Sequence, residues 1–596
     1  MLHRLFPVFE WGRGYDREAF TNDLVAAIVV TIMLIPQGMA YAMLAGLPPE
    51  AGLYGAMVPL LIYALLGTSR PLAVGPVAVV ALMTAAAAGD VAGPGSQGYH
   101  LAALVLAFLS GAMLLALGVL RLGFLANFLS HPVISGFITA AGILIAGSQL
   151  RHLTGIEVSG KTLPELLHTL MQDIEGLHWP TLLLSALVLA FLFWSRKGLA
   201  PLLMRAGLSH KAAGLISKGA LLVAVAGSTL AVALLDLAAA GVPIVGEIPR
   251  GMPALSLPLS DWPMMQALMV PALMIAIVGY VESMSIAQTL AARRRQRVDA
   301  NRELVALGAA NLGAATTSAM PVTGGLSRSI VNFDAGARTP AAGAMTAFGV
   351  GLSLLLFTPL LHFLPNATLA AIIIVAVAGL LDFGTLPRTW RYSRADGTAM
   401  AATIAVTLLM GVEPGLMAGV GLSLMLHLYR TSRPHVAIVG QVPGTEHFRN
   451  IERHAVVTVP DTVSIRIDES LYFPNARFLE DCVMGQVAGK PELRNVVLMF
   501  PAVNDVDASA LESLEGINRM LAEAGVTLHL SEVKGPVMDR LRRSHFLQEL
   551  TGDVFLTQHD AMRALAPDLT ADTSRAQRRE TLRAEPAAAQ TTASSR

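Results

Sequence analysis

The chain has 596 residues, equal numbers of acidic and basic side chains, and a composition that is 54% hydrophobic but only 14% charged. The charge balance argues against a nucleic-acid-binding protein, which carries a basic excess. The apolar excess is typical of a membrane protein, and the single cysteine, Cys482, excludes an intrachain disulfide framework.

Apolar segments follow one another from residue 21 to residue 432 and predict an α-helical transmembrane domain. Residues 1–20 lack the apolar core and cleavage site of a signal peptide, and with the loop charges below they are predicted to form a cytoplasmic N-terminal segment. Several segments are shorter than the roughly 20 residues that a regular helix needs to cross a bilayer. The fourteen predicted spans are 24–45, 51–66, 72–88, 101–118, 123–147, 181–195, 218–236, 264–290, 302–319, 326–336, 341–360, 367–381, 397–411 and 415–429.

The loop charges predict the orientation of these spans. Basic residues concentrate in the loops after even-numbered spans, as in the run RRRQR at 293–297, whereas the opposite loops carry only Arg151, Lys161 and Arg250. The positive-inside rule then predicts that both termini are cytoplasmic. A nucleic-acid patch is the alternative interpretation of the run at 293–297, but the topology accounts for it more simply.

The third and tenth spans are short or interrupted by glycine and proline, in "PLAVGPVAVVALM" and "GGLSRSIVNFDAGA". A shift of 245 residues aligns Pro76–Val77 with Pro321–Val322, which suggests an internal repeat. Broken spans at corresponding positions of two halves mark the midplane site of inverted-repeat transporters. The sequence therefore predicts a seven-plus-seven repeat with a site between these spans, with a simple Gly-Pro kink as the alternative for the third.

Arg328 is the first candidate site residue, because an isolated cation is costly in hydrocarbon unless it faces a partner or an aqueous cavity. Gly324 and Gly325 permit a close backbone approach, and Ser327 and Ser329 offer hydroxyl groups. If a half-helix begins near Leu326, its free N–H groups add positive potential, and the combination predicts an anion site. The alternatives are that Arg328 extends to the interface or pairs with Asp334 or Glu282.

Glu282 lies in the apolar sequence "VGYVESMSIAQTLA", where a charged carboxylate needs a partner or water. The residue types leave four roles open: proton carrier, cation ligand, counter-charge to Arg328, or structural hydrogen-bond partner. Gln37, its counterpart under the 245-residue shift, is polar but does not titrate.

Alternating strand and helix patterns after Arg433 predict a cytoplasmic α/β domain at 445–567. "VSIRID", "NVVLMF" and "VTLHLS" are strand candidates, and Asp507 is predicted to cap the helix that follows it. Residues 568–596 lack apolar periodicity and predict a disordered tail.

The sequence from "DLVAAIVVTIMLIPQGMAYAMLAGLPPEAGLYG" to "GTSRPLAVGPVAVVALM" resembles the first three spans of the sulfate permease family of anion transporters. "PVTGGLSRSIVNFDAGARTP" resembles the tenth-span signature of that family, and "DVDASALESL" resembles the central motif of its C-terminal STAS domain. The resemblance implies fourteen spans, a core domain that moves against a gate domain, and a homodimer. It also implies a substrate site formed by Gln37, Tyr41, Val77, Ala78, Leu326, Ser327 and Arg328, with Glu282 in coupling.

Two positions depart from the family pattern. Gln37 stands where some members carry a glutamate, which puts proton coupling at that position in doubt. Ala508 stands where stand-alone STAS proteins carry a phosphorylated serine, which puts a switch of that kind in doubt.

The resulting interpretation is a multi-pass secondary transporter of inorganic anions in the inner membrane, with sulfate as the first candidate substrate. Bicarbonate or dicarboxylate transport coupled to protons or sodium is the alternative, as is an anion-responsive membrane sensor. An enzyme is disfavoured because the sequence shows no nucleophile or metal motif. No cofactor, metal or nucleic-acid partner is predicted.

Overall fold

The computed structural model describes residues 7–124, 130–158, 160–249, 251–253, 255, 258 and 262–570. Residues 1–6 of the predicted N-terminal segment, Arg250 and residues 571–596 of the predicted tail lie outside this description. The chain divides into two compact units, Met1–Leu424 and Met425–Arg596.

Among its described residues, the first unit is helical apart from two short strands, β1 (Val74–Gly75) and β2 (Thr323–Gly324). Its described helices are α1 (Val8–Trp11), α2 (Arg17–Leu44), α3 (Pro49–Tyr54), α4 (Val58–Leu66), α5 (Ala78–Val91), α6 (Gln97–Val119), α7 (His131–Thr154), α8 (Leu163–Gln172), α9 (Trp179–Arg205), α10 (His210–Lys218), α11 (Ala220–Leu234), α12 (Trp262–Arg293), α13 (Ala300–Thr316), α14 (Leu326–Asp334), α15 (Ala341–Leu356), α16 (Asn366–Ala378), α17 (Thr385–Tyr392), α18 (Arg394–Met410) and α19 (Val412–Ser432), which continues into the second unit.

Each predicted span coincides with at least one helix, which confirms the helical membrane class. Among the described residues, six helical segments are long and apolar enough to cross a membrane by themselves. They are Arg17–Leu44, Pro49–Leu66, Gln97–Val119, His131–Thr154, Trp179–Arg205 and Trp262–Arg293. The count of fourteen crossings stays a prediction, because the other apolar helices are shorter.

The helices pack in two groups. In the first group α6 packs against α12 and α13, and α2 against α14 and α15. In the second group α7 packs against α16 and α18, and α9 against α11 and α16. The groups meet where α16 contacts α2 and where α5 contacts α7.

A buried carboxylate fixes the turn that leads into β1. Glu303 of α13 is 1% exposed and accepts hydrogen bonds from Tyr63 Oη at 2.8 Å and from the backbone N–H of Ser69 at 3.0 Å. Thr68 donates both its backbone N–H, at 2.7 Å, and its hydroxyl, at 2.6 Å. These bonds hold the chain between α4 and β1 against α13.

The second unit is a six-stranded mixed sheet with helices. Its elements are β3 (Val436–Gln441), β4 (Phe448–Asn450), β5 (Thr462–Ile467), α20 (Ala476–Ala488), β6 (Asn495–Met499), α21 (Ala508–Glu523), β7 (Thr527–Ser531), α22 (Gly535–Leu541), α23 (Phe546–Glu549), β8 (Val554–Phe555) and α24 (Gln558–Leu565). The strand order is β4-β3-β5-β6-β7-β8, with β5 to β8 parallel and β3 antiparallel to both its neighbours.

All three predicted strands of this unit are present, as β5, β6 and β7. The Asp507 side chain accepts the Ala510 N–H at 2.8 Å, so its predicted role as a helix N-cap is confirmed. The sheet begins at Val436, before residue 445, where the sequence predicts the domain to start. "VAIVGQ" shows no polar–apolar alternation, because Val436 and Ile438 pack against one apolar cluster and Ala437 and Val439 belong to another.

Candidate functional site

The two interrupted spans meet at their breaks. β1 and β2 pair antiparallel, with Val74 opposite Gly324 and Gly75 opposite Thr323. The helix α5 begins at Ala78 directly after β1, and α14 begins at Leu326 directly after β2. Two helix N-termini, each with unbonded N–H groups, therefore start beside one another, and the positive ends of both helix dipoles lie at this point.

Polar side chains behind the strands hold this arrangement in place. Asn311 of α13 brackets Val322, accepting its N–H at 2.9 Å and donating to its carbonyl at 2.9 Å. Ser283 of α12 accepts the Gly324 N–H at 2.8 Å. The break before α14 is thus anchored to two neighbouring helices, which makes the position of its first turn well defined.

Arg328 is buried in the first turn of α14, with 2% of its surface exposed. Its Nη1 donates to the Pro76 carbonyl at 2.6 Å, across from one broken span to the other. Its Nε and Nη2 are buried and have no hydrogen-bond partner among the described residues. Glu282 interacts with this guanidinium electrostatically but forms no direct ion pair with it among the described residues.

A glycine makes room for this guanidinium. A Cβ atom on Gly325 would lie 2.7 Å from Arg328 Nη2, closer than real Cβ contacts allow. Any other residue at position 325 would therefore displace the charged group.

All eight predicted site residues line one cavity of about 40 Å³. Gln37 and Tyr41 reach it from α2, and Glu282 from α12, where its Oε2 is buried without a partner among the described residues. The others are Val77, Ala78, Leu326, Ser327 and Arg328, at the starts of α5 and α14. Two positive helix ends and a guanidinium with free donors give a cavity suited to an anion.

The structure differs from the sequence analysis in the role of Ser329 and shows three further residues that line the cavity. Ser329 does not line the cavity, because its hydroxyl oxygen accepts the Ala73 N–H at 2.9 Å on the other side of α14. Ala376, Val377 and Leu380, in and just after α16, close the cavity from the second helix group. Sequence reasoning missed these three because apolar side chains within an apolar span carry no chemical signal.

Comparisons with known proteins give a consistent result. A model of the sulfate permease family matches residues 20–403, and a model of the STAS domain matches residues 453–561. The chain is 35% identical to the chloroplastic sulfate transporter 4.1 of Arabidopsis thaliana, covering 94% of this chain and 82% of the relative. It is 35% identical to a probable sulfate transporter of Mycobacterium tuberculosis, covering 93% and 96%.

A solved structure has the same fold. It is the murine Slc26a9 anion transporter in an inward-facing state, with a TM-score of 0.84 and 23% identity, covering 94% of this chain and 93% of that one.

Proposed function

We propose that this chain, which belongs to the sulfate permease family, is a secondary transporter of inorganic anions across a membrane and that sulfate is its substrate. The observation that carries the proposal is the pair of unbonded nitrogens on the buried Arg328 guanidinium, beside two helix N-termini. The names of the similar plant and mycobacterial proteins favour sulfate among the anions.

The position of the cavity supports transport by alternating access. Its walls come from both helix groups, so a movement of one group against the other would open it to one side of the membrane and then to the other. The anion would bind to Arg328 and to the free N–H groups of α5 and α14. Glu282 would carry the coupling ion, a proton or sodium, because its carboxylate shares the cavity with the anion.

The remaining parts of the proposal concern placement and assembly. The loop charges favour both termini in the cytoplasm, and the similarity to a mycobacterial protein favours the inner membrane. The α/β unit then lies in the cytoplasm, and a homodimer is the assembly that the family resemblance implies.

Flux into proteoliposomes tests the proposal. We expect saturable uptake of radiolabelled sulfate that rises with an imposed proton or sodium gradient. Bicarbonate, succinate and chloride in excess should compete less well than unlabelled sulfate. Tight sulfate binding without any flux would instead indicate an anion-responsive sensor.

A further inference from the structure

A second cavity, of about 510 Å³, lies on the membrane side opposite the N-terminus. The ends of α2, α5, α7 and α18 contribute to it, as do the loop before α8 and the start of α19. It lies between the two helix groups, since α5 belongs to the first and α7 and α18 to the second.

One face of α5 connects this outer cavity to the candidate substrate site. Ala78 lines the substrate cavity, whereas Leu82 and Ala85 line the outer one. Positions separated by four and seven residues share a helix face, and Ala85 lies about 10 Å along the axis from Ala78. The same face of α5 therefore lines the outer cavity at its C-terminal part and the candidate substrate site at its N-terminus.

The outer cavity is lined by two basic residues, although basic residues are scarce in the loops on this side of the membrane. By sequence, the loops on this side carry only Arg151, Lys161 and Arg250, and the first two line this one cavity. Arg151 donates from Nε to His152 Nε2 at 3.0 Å and forms no ion pair with the acidic residues that the structure describes. Its charge is therefore not neutralised by a carboxylate.

Lys161 forms a solvent-exposed ion pair that an anion can break. Its Nζ forms an ion pair with Asp90 at the end of α5, and both side chains are more than half exposed, at 53% and 59%. Exposed ion pairs of this kind are weak, so a dissolved anion can displace the carboxylate. Glu413 lines the same cavity, and its Oε1 is buried without a partner among the described residues.

We propose that the outer cavity is an anion-capture site, in which Arg151 and Lys161 bind an inorganic oxyanion that replaces Asp90 as the partner of Lys161, before the anion reaches Arg328. This inference rests on the proposed function. Arg151 and Lys161 offer charged hydrogen-bond donors to the anion, and the carboxylates Asp90 and Glu413, which line the same cavity, compete with it for them.

Because Asp90 and the anion compete for Lys161, substitutions of Lys161 and of Asp90 should change the half-saturation concentration in opposite directions. Substitutions in an ion pair that only stabilised the fold would not. Lys161→Gln should raise the half-saturation concentration for sulfate uptake about two- to fivefold, because it removes one of the two cations. Asp90→Asn should lower that concentration, because it removes the competing carboxylate. If the pair only stabilised the fold, both variants would impair uptake in the same direction.

The test is the initial rate of radiolabelled sulfate uptake by the full chain in right-side-out and inside-out membrane vesicles. Both variants should shift half-saturation only in right-side-out vesicles, where the outer cavity faces the added sulfate. Glu18→Gln is the matched control, because it removes one carboxylate from an exposed ion pair, with Arg338, at the opposite end of the unit. It should leave half-saturation unchanged in both preparations.

Two results would contradict these proposals. A wild-type chain without sulfate uptake would overturn the proposed function itself. If the wild type takes up sulfate, the capture site alone would be overturned by either of two results. Lys161→Gln and Asp90→Asn would both leave the half-saturation concentration unchanged, or both would shift it in the same direction.

Discussion

Burial of the Arg328 guanidinium destabilises the fold when no anion is bound. It is 2% exposed, and only Nη1 has a hydrogen-bond partner among the described residues, the Pro76 carbonyl. A buried donor without an acceptor destabilises a fold by about 1–3 kcal/mol, and more when the donor is charged. An anion that accepts from Nε and Nη2 offsets this cost, so we infer that the site is preorganised for its ligand.

Glu282 shares the cavity with Arg328, and its Oε2 has no hydrogen-bond partner among the described residues. We expect Glu282→Gln to weaken gradient-driven sulfate uptake and to flatten its dependence on pH or sodium, since an amide cannot exchange a proton or bind a cation as a carboxylate does. Passive sulfate exchange should survive. Uptake and counterflow in proteoliposomes measure the two activities separately, and fully coupled uptake by a folded variant would make Glu282 a structural residue.

Residue chemistry alone singles out the charged site residues, whereas the apolar Val77, Ala78 and Leu326 were predicted only through the family resemblance. A cation in an apolar run and a carboxylate in an apolar helix are visible because both are expensive there. The role of Ser329 was not predictable, because a serine next to Arg328 has the same sequence signature whether it faces the cavity or the Ala73 N–H. Leu380 looks like any other lipid-facing leucine in the sequence.

Short elements, rather than long helices, position the site. The pairing of β1 with β2 brings two helix starts together, and Glu303 holds the segment that enters β1. The sequence predicts the two breaks from Gly and Pro, but not their hydrogen-bonded pairing. Two-residue strands are too short for any periodic pattern, and the partners are about 250 residues apart.

We expect Glu303→Ala to destabilise the chain by about 2–5 kcal/mol, because it leaves the Tyr63, Thr68 and Ser69 donors without their acceptor. The melting temperature of the purified full-length protein should fall clearly. Glu18→Ala, which removes an exposed carboxylate, should change it little. Equal melting temperatures for both variants would show that the Glu303 network contributes nothing to stability.

The whole chain combines a helical membrane unit with an α/β unit, and this division was predictable because the hydrophobic pattern changes near residue 433. The two-group packing of the helices was not derivable from periodicity. Nearly all of these helices are apolar around much of their surface, so the pattern does not distinguish a lipid-facing side from one that packs against another helix.

The loop charges predict the orientation of the whole molecule. In a background with Cys482→Ser, which removes the only thiol of the chain, we expect a cysteine at Asp173 to react with an impermeant reagent in intact cells. A cysteine at Gln296 should react only after permeabilisation. The reverse pattern would contradict cytoplasmic termini and place the outer cavity on the cytoplasmic side.

The central claim is that Arg328 supplies the fixed positive charge for the anion, and sulfate titration of the purified full-length chain tests it most directly. A charged hydrogen-bonded contact contributes about 1.5–3 kcal/mol, so Arg328→Ala should weaken sulfate binding about tenfold to a hundredfold. Arg328→Lys should have a smaller effect, because it keeps the charge but loses the planar donor group. Arg302→Ala, outside the cavity, should bind sulfate as the wild type does. A folded Arg328→Ala variant with an unchanged dissociation constant would contradict the claim.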